Sequence, residues 1–162
     1  MSNHIADFIK LVKHPFKFRL FLFSKLPAAF FSGVRVREMD ETKCIVSVPF
    51  KWFTQNPFRS TYFTSLSMAA EMSTGALALA QIYKRKPPVS MLVVKVESEY
   101  FKKATGKTFF TCNDGSLFNN AIEESIATGE GRTIRAKSIG VNDKSEVVAE
   151  FYITWSFKAK IN

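Results

Sequence analysis

The sequence predicts an α+β domain in which an antiparallel sheet curls round one long central helix. Residues 60–83 form an apolar segment rich in Ala, Leu and Met, with no proline and one glycine. Such a composition favours a helix covered by other structure. Two strand-like segments precede it and four follow it. Because helices and strands do not alternate along the chain, a doubly wound parallel sheet is not expected.

Length and composition are those of a single globular domain. The chain has 162 residues, of which 46% are hydrophobic and 23% charged, values typical of one domain with one core. We divide it into an N-terminal helical segment, residues 1–33, and a strand-rich domain, residues 34–162. The net charge of +9 favours anionic partners, but no recognised nucleic-acid motif is present, so a specific nucleic acid is not expected.

Two short helices are predicted in the N-terminal segment. Apolar residues recur at helical spacing in the first, and Pro15 suits the first turn of the second, which ends or kinks at Pro27. Aromatic and basic side chains are mixed throughout the segment. We interpret it as a cover packed on the sheet or on a partner subunit. Peripheral membrane contact through this segment is the less favoured alternative.

The next elements are a predicted hairpin and the long helix. Residues 34–39 and 43–50 flank a polar turn, which is typical of two paired strands. An irregular loop follows, and Ser60 or Thr61 is expected to cap the helix.

Four strand-like segments follow the helix, at residues 89–101, 107–112, 132–141 and 146–157. In the first of them, alternation places Val94, Val96, Ser98 and Tyr100 on one face of the sheet and the charged residues on the other. Residues 116–127 are compatible with either a short helix or an irregular crossover.

Glu71 is the most informative residue of the long helix. It is the sole charged residue in the segment 60–83 and the sole carboxylate between Glu41 and Glu97. Thr64, Ser67, Glu71 and Thr74 lie on one helical face, so we expect Ser67 and Thr74 to hold the Glu71 carboxylate. Because an unpaired buried carboxylate is costly, Glu71 is either a structural group, which pairs with an Arg or Lys or caps a backbone group, or a functional carboxylate in a cavity.

Other chemistries have little support in the sequence. Cys44 and Cys112 lie in predicted strands among apolar residues and are interpreted as core thiols, without a metal site. Both histidines, His4 and His14, lie near the N-terminus, so catalysis by a histidine-activated serine or cysteine is not expected. No signal peptide or membrane span is evident, and a cytoplasmic protein is expected.

The order of elements, with one acid in the middle of the long helix, resembles the hotdog fold of acyl-CoA thioesterases. Within that superfamily the chain resembles an uncharacterised bacterial family described only as thioesterase-like. Three segments carry the resemblance: KFRLFLFSKLP, SVPFKWFTQNPFRS and MAAEMSTGALAL. It covers roughly residues 17–157 and implies a hotdog domain with extra N-terminal helices.

The resemblance also implies site residues. Phenylacetyl-CoA-type thioesterases carry an Asn on the loop before the helix, a His-Gly-Gly at the helix start, and an acid further along. Asn56 and Glu71 take the places of the Asn and the acid, as catalytic candidates. The His-Gly-Gly positions fall on Tyr62, Phe63 and Thr64, where a backbone N–H would polarise the thioester carbonyl.

Assembly and ligands follow from the same resemblance. The active cleft of hotdog proteins lies between two subunits, so a homodimer is implied, which could pair again into a tetramer. No cofactor is expected beyond coenzyme A as part of the substrate. Its phosphates would meet exposed basic residues at the mouth of the cleft, for which the candidates are Lys84, Arg85, Lys86, Lys102 and Lys103.

The sequence therefore leaves several functions open. The favoured hypothesis is an acyl-CoA thioesterase in which Glu71 activates or orients water and Asn56 assists. The alternative is a non-catalytic hotdog module that binds an acyl-CoA or a lipid, since the His-Gly-Gly is absent. A hydratase or dehydratase is less favoured, because such enzymes typically use an Asp/His pair and no histidine lies near the helix.

Overall fold

The computed structural model describes residues 3–160. The helices are α1 (Asn3–Lys13), α2 (Pro15–Lys25), α3 (Pro27–Ser32), α4 (Phe63–Ile82) and α5 (Gly115–Thr128). The strands are β1 (Arg35–Met39), β2 (Cys44–Val48), β3 (Val89–Tyr100), β4 (Thr108–Cys112), β5 (Arg132–Val141) and β6 (Val147–Ala159), and a 3-10 turn covers Trp52–Thr54. The outer limits of the two predicted segments, residues 1, 2, 161 and 162, lie outside the described residues, and the division at residue 33 stays a prediction.

The six strands form one antiparallel sheet in the order β1-β2-β4-β5-β6-β3. Helix α4 packs against β2, β4, β5 and β6, so it lies across the middle of the sheet. The predicted α+β fold, a curved antiparallel sheet around one central helix, is confirmed.

Strand β6 shows why the sheet closes on α4. Phe151, Ile153, Trp155 and Phe157 alternate along it, and all four are buried. Since alternate residues of a strand share a face, they form one apolar surface. Helix α4 is the matching element, because its buried residues lie on every side of the helix.

Three predictions about local structure need correction or completion. Neither Ser60 nor Thr61 caps α4. The N-cap residue is Tyr62, one residue after Thr61 and two after Ser60, and its side chain forms no capping hydrogen bond. Val94 does not share a face with Val96, since the pairing of β3 with β6 slips between Val93 and Lys95 and leaves Val94 as a bulge. The ambiguous segment after β4 is the helix α5.

The N-terminal helices pack on the body of the same chain. Helix α1 contacts α4 and β1, and α3 contacts α4 and the 3-10 turn. Helix α2 buries Phe18 and Leu22, whereas Phe16 is 81% exposed and Leu20 is 68% exposed. Helix α2 therefore presents apolar side chains both to the protein and to its surroundings. Among residues 3–160 no helix is long and apolar enough to cross a membrane.

Candidate active site on the central helix

Glu71 lies in the middle of α4, beneath the N-terminal helices. Its side chain lines a cavity of about 120 Å³, the Glu71 pocket, whose other walls include Phe8, Phe18 and Phe21 from α1 and α2. A second cavity, of about 260 Å³, reaches Glu71 from the side of α3 and is bordered by Lys25. The carboxylate therefore borders two largely apolar cavities, one beneath α1 and α2 and one beside α3.

The electrostatic state of Glu71 follows from this enclosure. Burial raises the pKa of Glu71 above its ordinary value, and within the described residues no charge or hydrogen bond opposes the rise. A structural carboxylate would normally have a cationic or hydrogen-bonded partner. Few carboxylates are both desolvated and unpaired, as Glu71 is. This combination is typical of a general base in an active-site pocket.

Ser67 and Thr74 do not hold the Glu71 carboxylate, contrary to the prediction. The Ser67 hydroxyl donates to the backbone carbonyl of Phe63, 3.0 Å away. The Thr74 hydroxyl donates to the backbone carbonyl of Glu71 at 2.9 Å and accepts from the indole N–H of Trp155 at 3.0 Å. On a helix, serine and threonine hydroxyls readily turn back to the preceding turn, which removes them as donors to neighbouring side chains.

Gly75 is a site residue that the sequence reasoning missed. A Cβ atom at this position would lie 3.0 Å from Oε1 of Glu71 and 3.2 Å from the ring of Trp155. The glycine one turn after Glu71 therefore leaves the space into which the carboxylate folds. The sequence held a signal for this residue, because Gly75 is the single glycine in an otherwise strong helix-forming segment, and such a glycine indicates a close contact.

A second candidate region lies at the start of α4. An open groove of about 570 Å³, the α4 N-terminal groove, is lined by Asn56, Tyr62 and Phe63 together with Tyr100 and Phe101 at the end of β3. The first N–H groups of a helix have no partner within the helix, and Tyr62 supplies no side-chain cap. The N–H of Tyr62 donates to the carbonyl of Thr54, and those of Ser65 and Leu66 donate to the carbonyl of Tyr62. Among the described residues, the N–H groups of Phe63 and Thr64 are therefore the donors that remain at this groove. Thr64, in the same first turn, is half-buried.

Asn56 has a structural role in the loop that forms the groove. Its Oδ1 accepts hydrogen bonds from the backbone N–H of Phe58 at 2.9 Å and of Ser60 at 3.2 Å, and from the Ser60 hydroxyl at 3.2 Å. This is the self-capped turn that asparagine commonly forms. These contacts use only the carbonyl oxygen of the side chain, so the amide N–H groups of Asn56 remain its available donors.

Within one chain the two candidate regions are separate. Glu71 follows Phe63 by eight residues on one helix, a distance of roughly 12 Å at 1.5 Å per residue. Asn56, Tyr62 and Phe63 line the α4 N-terminal groove, whereas Glu71 lines cavities beneath α2 and α3. The structure therefore brings together the residues at the start of the helix, but it does not bring Glu71 to them.

The five basic candidates also divide into two groups. Lys102 and Lys103 border the α4 N-terminal groove, where Lys102 pairs with Glu146. Lys84, Arg85 and Lys86 follow the opposite end of α4, and Arg85 pairs with Glu123. The five residues cannot all lie at the mouth of one cleft in a single chain, because α4 separates the groups by roughly 30 Å.

The cysteines lie in the core. Cys44 and Cys112 are buried and face each other across β2 and β4. Burial raises the pKa of both thiols, that of Cys112 to about 12, so neither is a thiolate nucleophile at neutral pH. In the described part of the chain no three metal-binding side chains come together.

Comparison with known proteins agrees with this architecture. The model of a family described as a domain of unknown function, DUF4442, matches residues 18–156. The chain belongs to that family. No curated protein matches it in sequence.

Solved structures share the hotdog fold of this DUF4442 protein. One is a Pseudomonas aeruginosa protein of unknown function, described as a probable thioesterase, with a TM-score of 0.76, 19% identity, and coverage of 90% of this chain and 97% of that one. Another is a protein of unknown function from Chlorobaculum tepidum, with a TM-score of 0.75, 17% identity and coverage of 89% and 93%. A thioesterase from Haemophilus influenzae has a TM-score of 0.63, 12% identity and coverage of 88% and 90%. At these identities the likeness shows the fold.

Proposed function

We propose that this DUF4442 protein is an acyl-CoA thioesterase with Glu71 as its general base. The observation that supports this most directly is the carboxylate itself, half-buried in an apolar pocket without a partner among residues 3–160. A group with a raised pKa and free lone pairs is suited to accept a proton from water near neutral pH. The relatives named as thioesterases support the reaction class by analogy of fold.

The chemistry assigns one role to each region. Water, deprotonated by Glu71, adds to the thioester carbonyl carbon, and the carbonyl oxygen becomes an oxyanion. The free N–H groups at the start of α4 and the Asn56 amide donate to that oxygen. The oxyanion then collapses, the C–S bond breaks, and the proton held by Glu71 passes to the departing thiolate. The products are a carboxylic acid and the free thiol of coenzyme A.

This mechanism requires a homodimer. Since the donors at the start of α4 and Glu71 lie roughly 12 Å apart on one helix, one chain does not place both at the same carbonyl. A second copy would bring its own Glu71 to the α4 N-terminal groove of the first. The edge strand β3 favours such pairing, because within residues 3–160 its one partner strand is β6, and its other edge leaves a long row of backbone groups free.

A non-catalytic acyl-CoA or lipid-binding module is the second candidate. Tyr62 and Phe63 favour it, because both side chains stand half-exposed in the α4 N-terminal groove, with their rings 5.0 Å apart. Bulky rings narrow the approach of a thioester to the backbone N–H groups. They would also supply apolar contact area for a bound acyl chain.

One assay separates the two candidates. Release of free thiol is followed for a panel of acyl-CoAs with the wild-type protein, Glu71→Gln and Asn56→Ala. For a thioesterase we expect turnover that Glu71→Gln lowers by about 10²-fold or more, the usual scale for loss of a general base. Binding of the same acyl-CoAs without thiol release by the wild type would instead establish the binding module.

A further inference from the structure

A basic cleft lies beside α2 and shares Phe18 and Leu22 with the wall of the Glu71 pocket. It is a cavity of about 270 Å³ between the end of α1, helix α2 and strand β1, and we call it the arginine cleft. Phe18 and Leu22 contribute to its apolar floor. Its charged walls are Lys13, Arg19, Arg35, Arg37 and Glu38. A cavity of this size is slightly below the range of about 300–1,000 Å³ for drug-sized ligands, so it suits a small group.

Within the described residues, no carboxylate balances the basic side chains of this cleft. The one acid in its wall, Glu38, is well exposed and pairs with Lys43 at 3.1 Å. Lys13, Arg19, Arg35 and Arg37 form no ion pair with any carboxylate of residues 3–160. The sequence explains this imbalance, because residues 8–37 contain seven Lys and Arg and no acid.

Arg19 has an unused donor inside the structure. Its Nη1 atom is buried and has no hydrogen-bond partner in the described residues. The guanidinium lies 4.0 Å from the centre of the Phe30 ring, a cation–π contact. Burial and the charge of Arg35 lower the pKa of Arg19. Arg19 and Arg35 both line the cleft, and neither pairs with a carboxylate of residues 3–160. A buried donor without a partner beside a second arginine favours an acceptor from outside the chain.

Arg37 is held in place by the sheet. Its Nε atom donates to the hydroxyl of Ser47 at 2.6 Å, and Ser47 is fully buried on β2. A guanidinium fixed through Nε keeps its terminal N–H groups for a ligand. Arginine forks of this kind match the oxygens of phosphate in a bidentate geometry.

We propose that the arginine cleft binds the phosphate group of a phosphate monoester, with Arg19, Arg35 and Arg37 as its ligands. The cleft carries four cations, at Lys13, Arg19, Arg35 and Arg37. This charge suits a doubly charged phosphate better than a singly charged carboxylate, and the apolar floor suits an organic group attached to the phosphate. This site is independent of the proposed hydrolysis at Glu71.

The phosphate could belong to a soluble molecule or to a lipid headgroup. Phe16 and Phe23 lie one helical turn either side of Arg19, and Phe16 and Leu20 are strongly exposed. In a lipid layer these side chains would enter the acyl region beside a bound headgroup. The two sources share the same chemistry at the arginines, and the experiment below distinguishes them.

The soluble source is tested by calorimetric titration of the full chain with phenyl phosphate. Arg19→Gln and Arg35→Gln should each weaken binding by roughly tenfold or more, the loss expected for one charge-assisted hydrogen bond. The matched control is Lys107→Gln, which removes one exposed cation outside the cleft and should bind as the wild type does. Arg35 is exposed, so its variant retains the fold and carries the test if Arg19→Gln does not fold.

The lipid source is tested by sedimentation with phosphatidylcholine vesicles that contain phosphatidic acid, whose headgroup is a phosphate monoester. Binding that Arg35→Gln and Leu20→Ser both reduce, and Lys107→Gln does not, would identify a lipid headgroup. Binding of phenyl phosphate alone, with the same dependence on Arg35, would identify a soluble ligand. The proposal would be overturned if Arg35→Gln and Lys107→Gln weakened binding equally. It would also be overturned if neither phenyl phosphate nor the vesicles bound to the wild type.

Thermal unfolding gives an independent readout. Without phosphate, Arg35→Gln should melt at or above the temperature of the wild type, because it relieves repulsion among the arginines. Added phenyl phosphate should raise the melting temperature of the wild type more than that of Arg35→Gln. A melting temperature that phenyl phosphate leaves unchanged in both proteins would contradict a built site.

Discussion

Glu71 stands among apolar side chains without a partner in the described chain, and this should be visible in the stability of the protein. Because burial raises the pKa of Glu71, the folded protein retains a proton that the unfolded chain has already released. Stability is therefore greatest below the ordinary pKa of a glutamate and falls as the pH rises through the raised value. A carboxylate paired with a cation would give the opposite slope.

The first prediction is that Glu71→Gln removes this pH dependence. Its free energy of unfolding should equal that of the wild type at low pH and exceed it at neutral pH. Urea unfolding between about pH 4 and pH 8 measures the difference. Glu99→Gln, which removes an exposed carboxylate on β3, is the matched control. A Glu71→Gln variant less stable than the wild type at neutral pH would mean that a cation pairs with Glu71.

The second prediction concerns the pH dependence of hydrolysis. A general base must be deprotonated to accept the proton of water, so thiol release should fall on the acid side as Glu71 becomes protonated. Since the pKa of Glu71 is raised, this fall should begin at a higher pH than an ordinary glutamate would give. The rate of thiol release is measured against pH at saturating acyl-CoA. An acid limb at the ordinary pKa of a glutamate would speak against Glu71 as the base.

The third prediction concerns Gly75. In Gly75→Ala the new methyl group would lie 3.0 Å from Oε1 of Glu71, so the carboxylate must move. The helix itself gains up to about 1 kcal/mol from alanine, which offsets part of the cost of the contact. We expect turnover to fall more than stability does, measured by thiol release and by urea unfolding. Gly106→Ala, whose Cβ would meet only Asp143 at 3.5 Å, should leave turnover unchanged.

At the scale of elements, one hydrogen-bond chain fixes the turn of α4 that presents Glu71. The indole N–H of Trp155 on β6 donates to the Thr74 hydroxyl, which donates to the backbone carbonyl of Glu71. Trp155 and Thr74 are both buried. The sheet thus holds the helix at the position of the candidate base.

The fourth prediction tests this chain. Thr74→Val keeps the shape of the side chain but leaves the Trp155 N–H buried without an acceptor, which should cost about 1–3 kcal/mol of unfolding free energy. Thr74→Ser retains the hydroxyl and should lose less. Urea unfolding measures both. A smaller loss of unfolding free energy in Thr74→Val than in Thr74→Ser would show that the methyl group matters more at this position than the hydrogen bond does.

The elements show which kinds of information the sequence holds. The central helix and the strands of the sheet were predictable because hydrophobic periodicity is local. The bulge at Val94 was not, because a slip in pairing depends on the partner strand β6. The Ser67 and Thr74 hydroxyls share a helical face with Glu71, yet they bond to the backbone. Sequence spacing fixes the face of a residue and not the partner of its side chain.

At the scale of the whole molecule, the covering of Glu71 is the feature that sequence patterns did not reveal. The walls of the Glu71 pocket come from α1, α2 and β3 as well as α4, and these elements are far apart in sequence. The separation of Glu71 from Asn56 likewise depends on tertiary placement. A resemblance of motifs identified both residues, but it could not tell whether one chain or two would bring them together.

The last prediction concerns that assembly. Helix α4 does not pack against β3 over its length, so Val96 and Tyr100 remain 50% and 45% exposed although they pair with β6 residues of the buried face. An edge strand with uncovered apolar residues favours pairing with a second copy.

We expect a homodimer, or a tetramer built from it, by light scattering at micromolar concentration. The Val96→Lys variant should have a mass closer to that of a monomer than the wild type has. Its rate of thiol release should fall in parallel, because Glu71 of one subunit separates from the α4 N-terminal groove of the other. Leu117→Lys places the same charge at an exposed position of α5 and should leave both unchanged. A monomeric wild type that still hydrolyses acyl-CoA would rule out a site shared between subunits.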